Sequence, residues 1–291
     1  MDRLTDFLQR FDLRAQVLHN GALVRPLRVE ASEAAGRLHL LRSGSVQLAG
    51  PGRKLCTVSE PSIIFFARPV RHELRAVEGA AKGGARSGLK GELKGGKPDL
   101  LSAAVDFGVG DENPLLQGLP LPLRLPLKDI PDMQALFSVL LEEAAGRRCG
   151  HAAVLDRLVE VLVVRLMRLA IERQLVDRGV MAGLADTRLA RALTAVHAAP
   201  QIEWTLEGMA DKAGMSRSRF AAHFTEVMGV PAAEYLKRWR VGLAKRMLRE
   251  GRPVKQVALD VGYGSSASFG RAFGQIEGAT PTAWVIGVRE G

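Results

Sequence analysis

Two hydrophobic periodicities divide this chain. Between residues 36 and 107 the apolar positions come in short runs broken by Gly and Pro, and this predicts strands. Arg37-Leu38-His39-Leu40-Leu41-Arg42 is one candidate, turned by Ser43-Gly44. Ser45-Val46-Gln47-Leu48 alternates and stops at Gly50-Pro51-Gly52. Ile63-Ile64-Phe65-Phe66 is solidly apolar and closed by Pro69, and 100–107 reads as a returning strand. Short strands with such punctuation predict a small antiparallel barrel or sandwich. Ahead of them, 4–11 predicts a short amphipathic helix. Residues 79–98 hold many Gly and Lys and little that is large and apolar, so they are expected as a loop or insertion. Residues 114–131, with repeated prolines, are expected as connecting chain.

From Asp132 the period changes to that of a helix. Met133, Leu136, Phe137, Leu140 and Leu141 recur at i, i+3 and i+4, and a second long helix is predicted over 152–174. Residues 179–186 read as a linker. Beyond it, helices are expected over 188–197, 205–213, 216–228, 232–250, 254–261 and 266–275.

Within this helical region a single pattern occurs twice. Ala210-Asp211-Lys212-Ala213-Gly214-Met215-Ser216 is followed by Phe220 and Phe224. Ala258-Leu259-Asp260-Val261-Gly262-Tyr263 is followed by Ser265, Phe269 and Phe273. Each copy reads as a helix bearing a small Ala, a Gly turn and a second helix opened by Ser, the grammar of a helix-turn-helix. Gly214 and Gly262 fall where the turn needs positive φ. Ser216, and Ser265 or Ser266, fall at N-cap positions. The Phe pairs at i, i+4 are expected to face inward. Arg217, Ser218, Arg219, Ala221 and Ala222 then lie near one outer face, and Ser266, Ala267, Ser268, Gly270 and Arg271 near the other. Gly264 lengthens the second turn by one residue. The helix between the copies carries Lys237, Arg238, Arg240, Lys245 and Arg246, which are expected to track phosphates.

Composition sharpens this picture. A length of 291 residues fits about two domains, and 47% hydrophobic residues suffice for a core in each. A net charge of +10 favours polyanionic partners. Asp156, Arg157, Glu160, Arg165 and Arg168 interrupt the most apolar stretch, so no membrane span is expected. The polar start lacks an apolar core segment, so no secretory signal is expected. The two cysteines, Cys56 and Cys149, form no CxxC, and a cytoplasmic protein with reduced thiols is the expectation.

Residues 186–291 resemble the AraC/XylS-type transcription regulators. The likeness rests on Trp204-Thr205-Leu206-Glu207, Gly214 to Ser218, Arg240 to Leu248, Val257-Ala258, Val261-Gly262-Tyr263, Ser268-Phe269, Phe273 and Gly278-Ala279-Thr280-Pro281. The resemblance implies that the second helix of each unit enters the major groove. Carried over by position, Arg271 falls on a base-contacting position of the second unit, and Ser218, Ala221 and Ala222 on those of the first. The expected DNA-contacting set is Ser216, Arg217, Ser218, Arg219, Ala221, Ala222, Arg240, Lys245, Ser265, Ser266, Ser268 and Arg271.

The strand-rich half resembles the cupin-like sensor domains that precede such DNA-binding domains, through Arg37 to Leu40 and Pro61 to His72. The implied architecture is α+β: a cupin-like β-barrel with C-terminal helices over 1–182, used for effector sensing and dimerisation, then an all-α double helix-turn-helix domain over 186–291. The implied partners are double-stranded DNA, a small-molecule effector, RNA polymerase at an activated promoter, and a second copy docked through the 132–175 helices. His39 and His72 are the candidate pocket residues. Glu73 is adjacent, but the His-x-His pair of metal-binding cupins is missing, so neither metal nor other cofactor is expected. The rival reading is a cupin-type metalloenzyme with a helical appendage. Cys149, beside Arg147-Arg148 and His151, and Cys56 are candidate redox-sensing thiols.

Overall fold

The computed structural model describes residues 4–5, 13–31, 35–50, 55–77, 97–107, 118–146 and 148–290. Most of the helix expected at 4–11, the turn at 51–52, the segment 79–96 and Arg147 lie outside the described residues. The described chain forms two compact units. One comprises the described residues of 13–111 and 119–169, the other runs chiefly from 170 onward.

The first unit carries nine strands among its described residues: β1 (Arg14–Ala22), β2 (Leu27–Val29), β3 (Gly36–Ser43), β4 (Val46–Ala49), β5 (Cys56–Val58), β6 (Ser62–Phe66), β7 (His72–Ala76), β8 (Asp99–Asp106) and β9 (Leu123–Pro126). They form a five-stranded sheet in the order β1-β8-β3-β6-β9 and a four-stranded sheet in the order β2-β7-β4-β5, with every pairing antiparallel. One apolar cluster joins them. Leu41, Ile64, Phe66 and Leu100 come from the first sheet, and Val46, Leu48, Val58 and Leu74 from the second. The sheets therefore pack face to face as a sandwich. Leu38, Leu40, Ile63, Phe65, Leu101, Ala103 and Val105, on the other face of the central strands, are also buried. Burial on both faces explains why β6 reads as an unbroken apolar run rather than an alternating one. The proline-rich stretch 114–131 is not all connection. It holds β9, an edge strand on β6, where prolines at the ends of the strand remove no central ladder bond.

Two helices follow, α1 (Gln134–Ala145) and α2 (His151–Glu172). Edge strand β1 would expose unpaired N–H groups, and α2 supplies their acceptors. The Val17 N–H donates to Asp156 Oδ1 at 2.8 Å, and the Ala15 N–H to Glu160 Oε1 at 3.2 Å, while Arg157 holds Glu160 at 2.7 Å. The dimer seam expected along 154–169 is largely spent inside the chain. Leu155, Val159, Leu162, Val163 and Leu166 are buried, whereas Val154 and Val161 stay 43% and 48% exposed, with Leu158 half-buried between them.

The second unit is helical: α3 (Val180–Ala185), α4 (Leu189–Ala198), α5 (Leu206–Ala213), α6 (Arg217–Met228), α7 (Ala232–Arg249), α8 (Val254–Asp260), α9 (Ser266–Glu277) and α10 (Pro281–Glu290). The expected linker 179–186 is a correction. It is α3, with Val180, Met181 and Leu184 buried, and a Cβ on Gly183 would collide with Met228. Six residues rich in Ala and Gly give too short a helical period to separate a packed helix from a loop.

Candidate nucleic-acid interface

The two repeats build the same turn. Gly214 has φ 66° and Gly262 φ 92°, in the left-handed region that Gly enters freely. At each, the next residue's N–H reaches back to the repeated Ala: Met215 to the Ala210 carbonyl at 3.0 Å, and Tyr263 to the Ala258 carbonyl at 2.8 Å. Ala210 and Ala258 are buried, as close helix approach requires. Gly262 is constrained twice. A Cβ there would stand 2.7 Å from Arg240 Nη2 and 2.8 Å from the Pro200 carbonyl. Ser265 caps α9 by accepting from the Ser268 N–H at 3.1 Å, and the Ser268 hydroxyl donates back to the Ser265 carbonyl at 2.9 Å. Ser216 occupies the N-cap of α6 with extended backbone, but its side chain makes no capping bond. Phe220, Phe224, Phe269 and Phe273 are fully buried, paired at 5.3 and 5.5 Å between ring centroids.

Helix α7, 18 residues and about 27 Å long, joins the repeats. Its first half is fixed to α4 and α6. The Tyr235 hydroxyl lies 2.6 Å from His197 Nε2, Trp239 stacks on His197 at 4.1 Å, and Tyr235 meets Phe224 edge-on at 5.8 Å. Burial pushes the Tyr235 phenol far above its ordinary range, so the hydroxyl stays protonated.

The second half is fixed by two cations that the sequence reading expected on phosphates, each with partners inside the helical unit. Arg240 Nε donates to the Pro200 carbonyl at 2.9 Å and Nη2 to the Ile202 carbonyl at 2.8 Å, with the guanidinium over the Tyr263 ring at 5.5 Å. Lys245 Nζ pairs with Glu277 at 2.8 Å, with both side chains less than a tenth exposed, and lies 5.5 Å from the Trp284 ring. Lys237 and Arg238 pair with Glu234, and Arg246 with Glu250, within the helix itself.

The outer faces of α6 and α9 are different. Arg217, Arg219 and Arg271 are exposed, and no described residue pairs with them. Opposite the buried Phe220 and Phe224, helical geometry puts Ser218, Ala222 and Thr225 in one outward row, with Ala221 on its flank. All three of the row are exposed. The Thr225 hydroxyl donates to the Ala221 carbonyl at 2.8 Å. Thr225 is a member of this row that sequence reasoning missed, although its i+7 spacing from Ser218 marks it. On α9 the equivalent row is Ala267, Arg271 and Gly274, with Gly270 on the flank. Ser266 is exposed, while the hydroxyls of Ser265 and Ser268 are engaged in the cap. Asp186 caps α4 through Oδ1, accepting from the N–H groups of Arg188 and Leu189, and its Oδ2 holds His223 Nε2 of α6 at 2.8 Å. The reading helix of the first unit is thereby tied to the start of α4.

In the sandwich, Leu41 points into the inter-sheet cluster, so Arg37 and His39 of the same strand do too. Leu74 likewise fixes His72. His39 Nε2 lies 2.8 Å from His72 Nε2, and His72 stacks on Phe66 at 3.8 Å. His72 Nδ1 lies 2.6 Å from the Val70 carbonyl, which can only accept, so Nδ1 carries the hydrogen. In the neutral ring His72 Nε2 then accepts from His39 Nε2–H, and His39 Nδ1 is left as a bare acceptor. That atom is buried without a partner. Burial lowers the pKa of His39 well below 6.5 and that of His72 in the same direction, with each also opposed by the charge of Arg37.

Glu73 is no third donor. Strand alternation turns it outward to Arg28 at 3.0 Å and Arg75 at 2.7 Å. Those residues line an open groove of about 570 Å³ with Glu30, Arg71 and His72. Among the described residues, no three His, Cys, Asp or Glu side chains form a metal-holding group. Cys56 is half-buried, with Arg124 Nη1 2.8 Å from its sulfur, and Cys149 is exposed; both are free thiols. No helix among the described residues is long and apolar enough to cross a membrane.

Two helix-turn-helix units on one strut, following a cupin-type sandwich in the chain, define a DNA-binding transcription regulator. Residues 2–172 match the cupin family model and 209–285 the helix-turn-helix domain model. A putative AraC-like transcription regulator of Streptomyces lividans is 34% identical over 71% of this chain and 66% of its own length. An uncharacterised helix-turn-helix transcriptional regulator of Haemophilus influenzae is 32% identical over 84% of both chains. The crystal structure of fatty-acid-bound ToxT from Vibrio cholerae covers 94% of each chain at 12% identity, with a TM-score of 0.39. The chain belongs to the AraC-type family of helix-turn-helix transcription regulators.

Two outcomes follow from the interior polar groups. Because folding lowers the pKa of His39 and His72, their neutral pairing stabilises the fold fully above pH 6.5, and that contribution is lost as the pH falls below 6.5. Urea midpoints at pH 7.5 and 5.5 should therefore differ less in a His39→Leu/His72→Leu variant than in the wild type. Lys245→Ala removes a buried partner of Glu277 and should lower the urea midpoint. The salt dependence of DNA binding should stay unchanged, as expected of a lysine engaged by Glu277.

Proposed function

We propose that this chain is a cytoplasmic activator that binds one double-stranded operator through α6 and α9 and answers to a small organic effector held by the sandwich. The observation that carries the reading is the sorting of cations. Arg240 and Lys245 are consumed inside the helical unit, while Arg217, Arg219 and Arg271 are unpaired on the two outward helices. Ser216, Ser218, Ser266, Ala221 and Ala222 complete the contacting surface, with Ser265 and Ser268 acting chiefly as the cap of α9. We assign effector sensing and dimerisation to the sandwich and its helices, and DNA reading to the helices that follow. The effector is taken up without a metal, its hydrogen-bond donor meeting His39 Nδ1 between the sheets, and RNA polymerase is the partner at the promoter. The chain acts as a regulator rather than as a catalyst.

A homodimer through α2 is supported by Val154, Leu158 and Val161, an apolar strip left on a helix whose other side is buried. Val161→Lys should convert a dimer to a monomer in sedimentation equilibrium without changing the melting temperature. Monomeric wild type at micromolar concentration would exclude the dimer.

The DNA reading is tested with Arg271. Its guanidinium can grip guanine O6 and N7 together, a contact worth about 1–3 kcal/mol of discrimination. Arg271→Ala should weaken binding to an operator enriched from random duplexes about tenfold or more, and relax one base preference. Binding to unrelated duplex should change little. An equal loss on both duplexes would make Arg271 a phosphate contact instead.

A further inference from the structure

Aligning the inward Phe220 and Phe224 with Phe269 and Phe273 places Ala222 opposite Arg271, Ser218 opposite Ala267, Thr225 opposite Gly274, and Ala221 opposite Gly270. The two reading helices thus present opposite chemistries from one scaffold. On α9 the central position is a guanidinium with glycines beside it, and nothing lies within 4 Å of where a Cβ would stand at Gly270. On α6 the central position is a methyl group.

The rest of the α6 row adds to that methyl surface. Ala221 lies beside Ala222. Thr225 turns its hydroxyl onto the Ala221 carbonyl at 2.8 Å, so its γ-methyl is the group left to meet a ligand. Ser218 supplies the single free hydroxyl of the row. Arg217 and Arg219 lie at the N-terminal end of the helix, outside this row. The row itself offers no bidentate hydrogen bond to guanine or adenine. What it can recognise in a major groove is the one apolar group displayed there, the thymine C5-methyl.

Resting on the reading that α6 enters DNA, we infer that the first unit selects its half-site through thymine methyl groups, packed against Ala221, Ala222 and the Thr225 γ-methyl. The operator is therefore asymmetric. Under α6 lies a thymine-bearing half-site read by shape and methyl contact. Under α9 lies a guanine read by hydrogen bonds. Nothing in the Ala221, Ala222 and Thr225 surface penalises a base pair by an unpaired buried polar group, so replacing a thymine packed against it costs only the lost methyl contact.

Deoxyuridine tests this, because it removes the methyl and leaves every hydrogen-bonding group of thymine. An operator is enriched from random duplexes with the full chain, and each thymine is replaced singly by deoxyuridine. Affinity is measured by fluorescence anisotropy at fixed salt. One or more replacements in one half-site should weaken binding about fourfold, the effect of one buried carbon group. Replacements in the half-site whose guanine depends on Arg271 should have no effect. The fourfold loss should shrink in Ala222→Gly or Thr225→Ser. The Ser variant keeps the hydroxyl bond to the Ala221 carbonyl and removes only the methyl, so it guards against loss of folding. Unchanged affinity for every deoxyuridine operator would overturn the inference while leaving DNA binding intact, as would a loss that persists undiminished in both variants. If no duplex is enriched at all, the DNA-binding reading itself fails.

Discussion

Everything in the helical unit depends on how firmly α7 is held. It is the only covalent path between the two reading helices that runs as one regular element, so their separation and relative rotation are as fixed as its anchors. Those anchors are of different kinds along its length. Aromatic packing and the Tyr235–His197 hydrogen bond hold the first half. The fork of Arg240, which grips the carbonyls of Pro200 and Ile202, holds the middle. The buried Lys245–Glu277 pair holds the end against α9. Arg240 also lies against Gly262, so the turn of the second unit is shaped by the chain that leads into the first. A side chain at 262 would disturb the turn and the strut together.

The sandwich manages its polar groups by the same logic of fixed partners. The exposed edge of β1 is satisfied by carboxylates of α2, and the outward Glu73 is shared by two guanidiniums. The exceptions are single nitrogens of Arg42 and Arg68 and, the one bare acceptor among them, His39 Nδ1, which is left without a donor in a wholly buried place. A bare buried acceptor costs about 1–3 kcal/mol unless something fills it. The tautomer that exposes it is imposed from outside the pair, by the Val70 carbonyl acting through His72. One backbone oxygen therefore decides that this end of the inter-sheet space offers an acceptor and not a donor.

Much of this was legible in the sequence because it rests on local rules. The repeated Ala–Gly–Ser–Phe–Phe spacing carries the turn, the cap position and the inward face, and these are set by residues within one turn of each other. The strands β3, β4, β6 and β8 are likewise visible from apolar runs between Gly and Pro. What stayed hidden depends on partners distant in the chain. Arg240 and Lys245 look like free cations on a basic helix; their partners, the carbonyls of Pro200 and Ile202 and the carboxylate of Glu277, lie tens of residues away in the chain. β9 hides among prolines because an edge strand tolerates them. The helices over 132–175 read as a docking surface for a second copy, yet the long helix is apolar around much of its surface and the chain itself buries the side that carries Leu162.

The strut and the sparse reading faces belong together. Each outward helix has few groups that can discriminate between bases, so neither half-site alone separates an operator from the genome's competing sequences. Discrimination then requires that both contacts be made at once. If the two units were joined flexibly, a mismatch under one could be escaped by releasing that unit and keeping the other, and the second contact would contribute only its local concentration. A helix of about 27 Å, pinned along its length, instead fixes the two units relative to each other. With that geometry already imposed, engagement of one helix delivers the other at little further entropic cost. A mismatch under either helix must then be borne by the whole complex, and small base preferences under the two helices add instead of being averaged away.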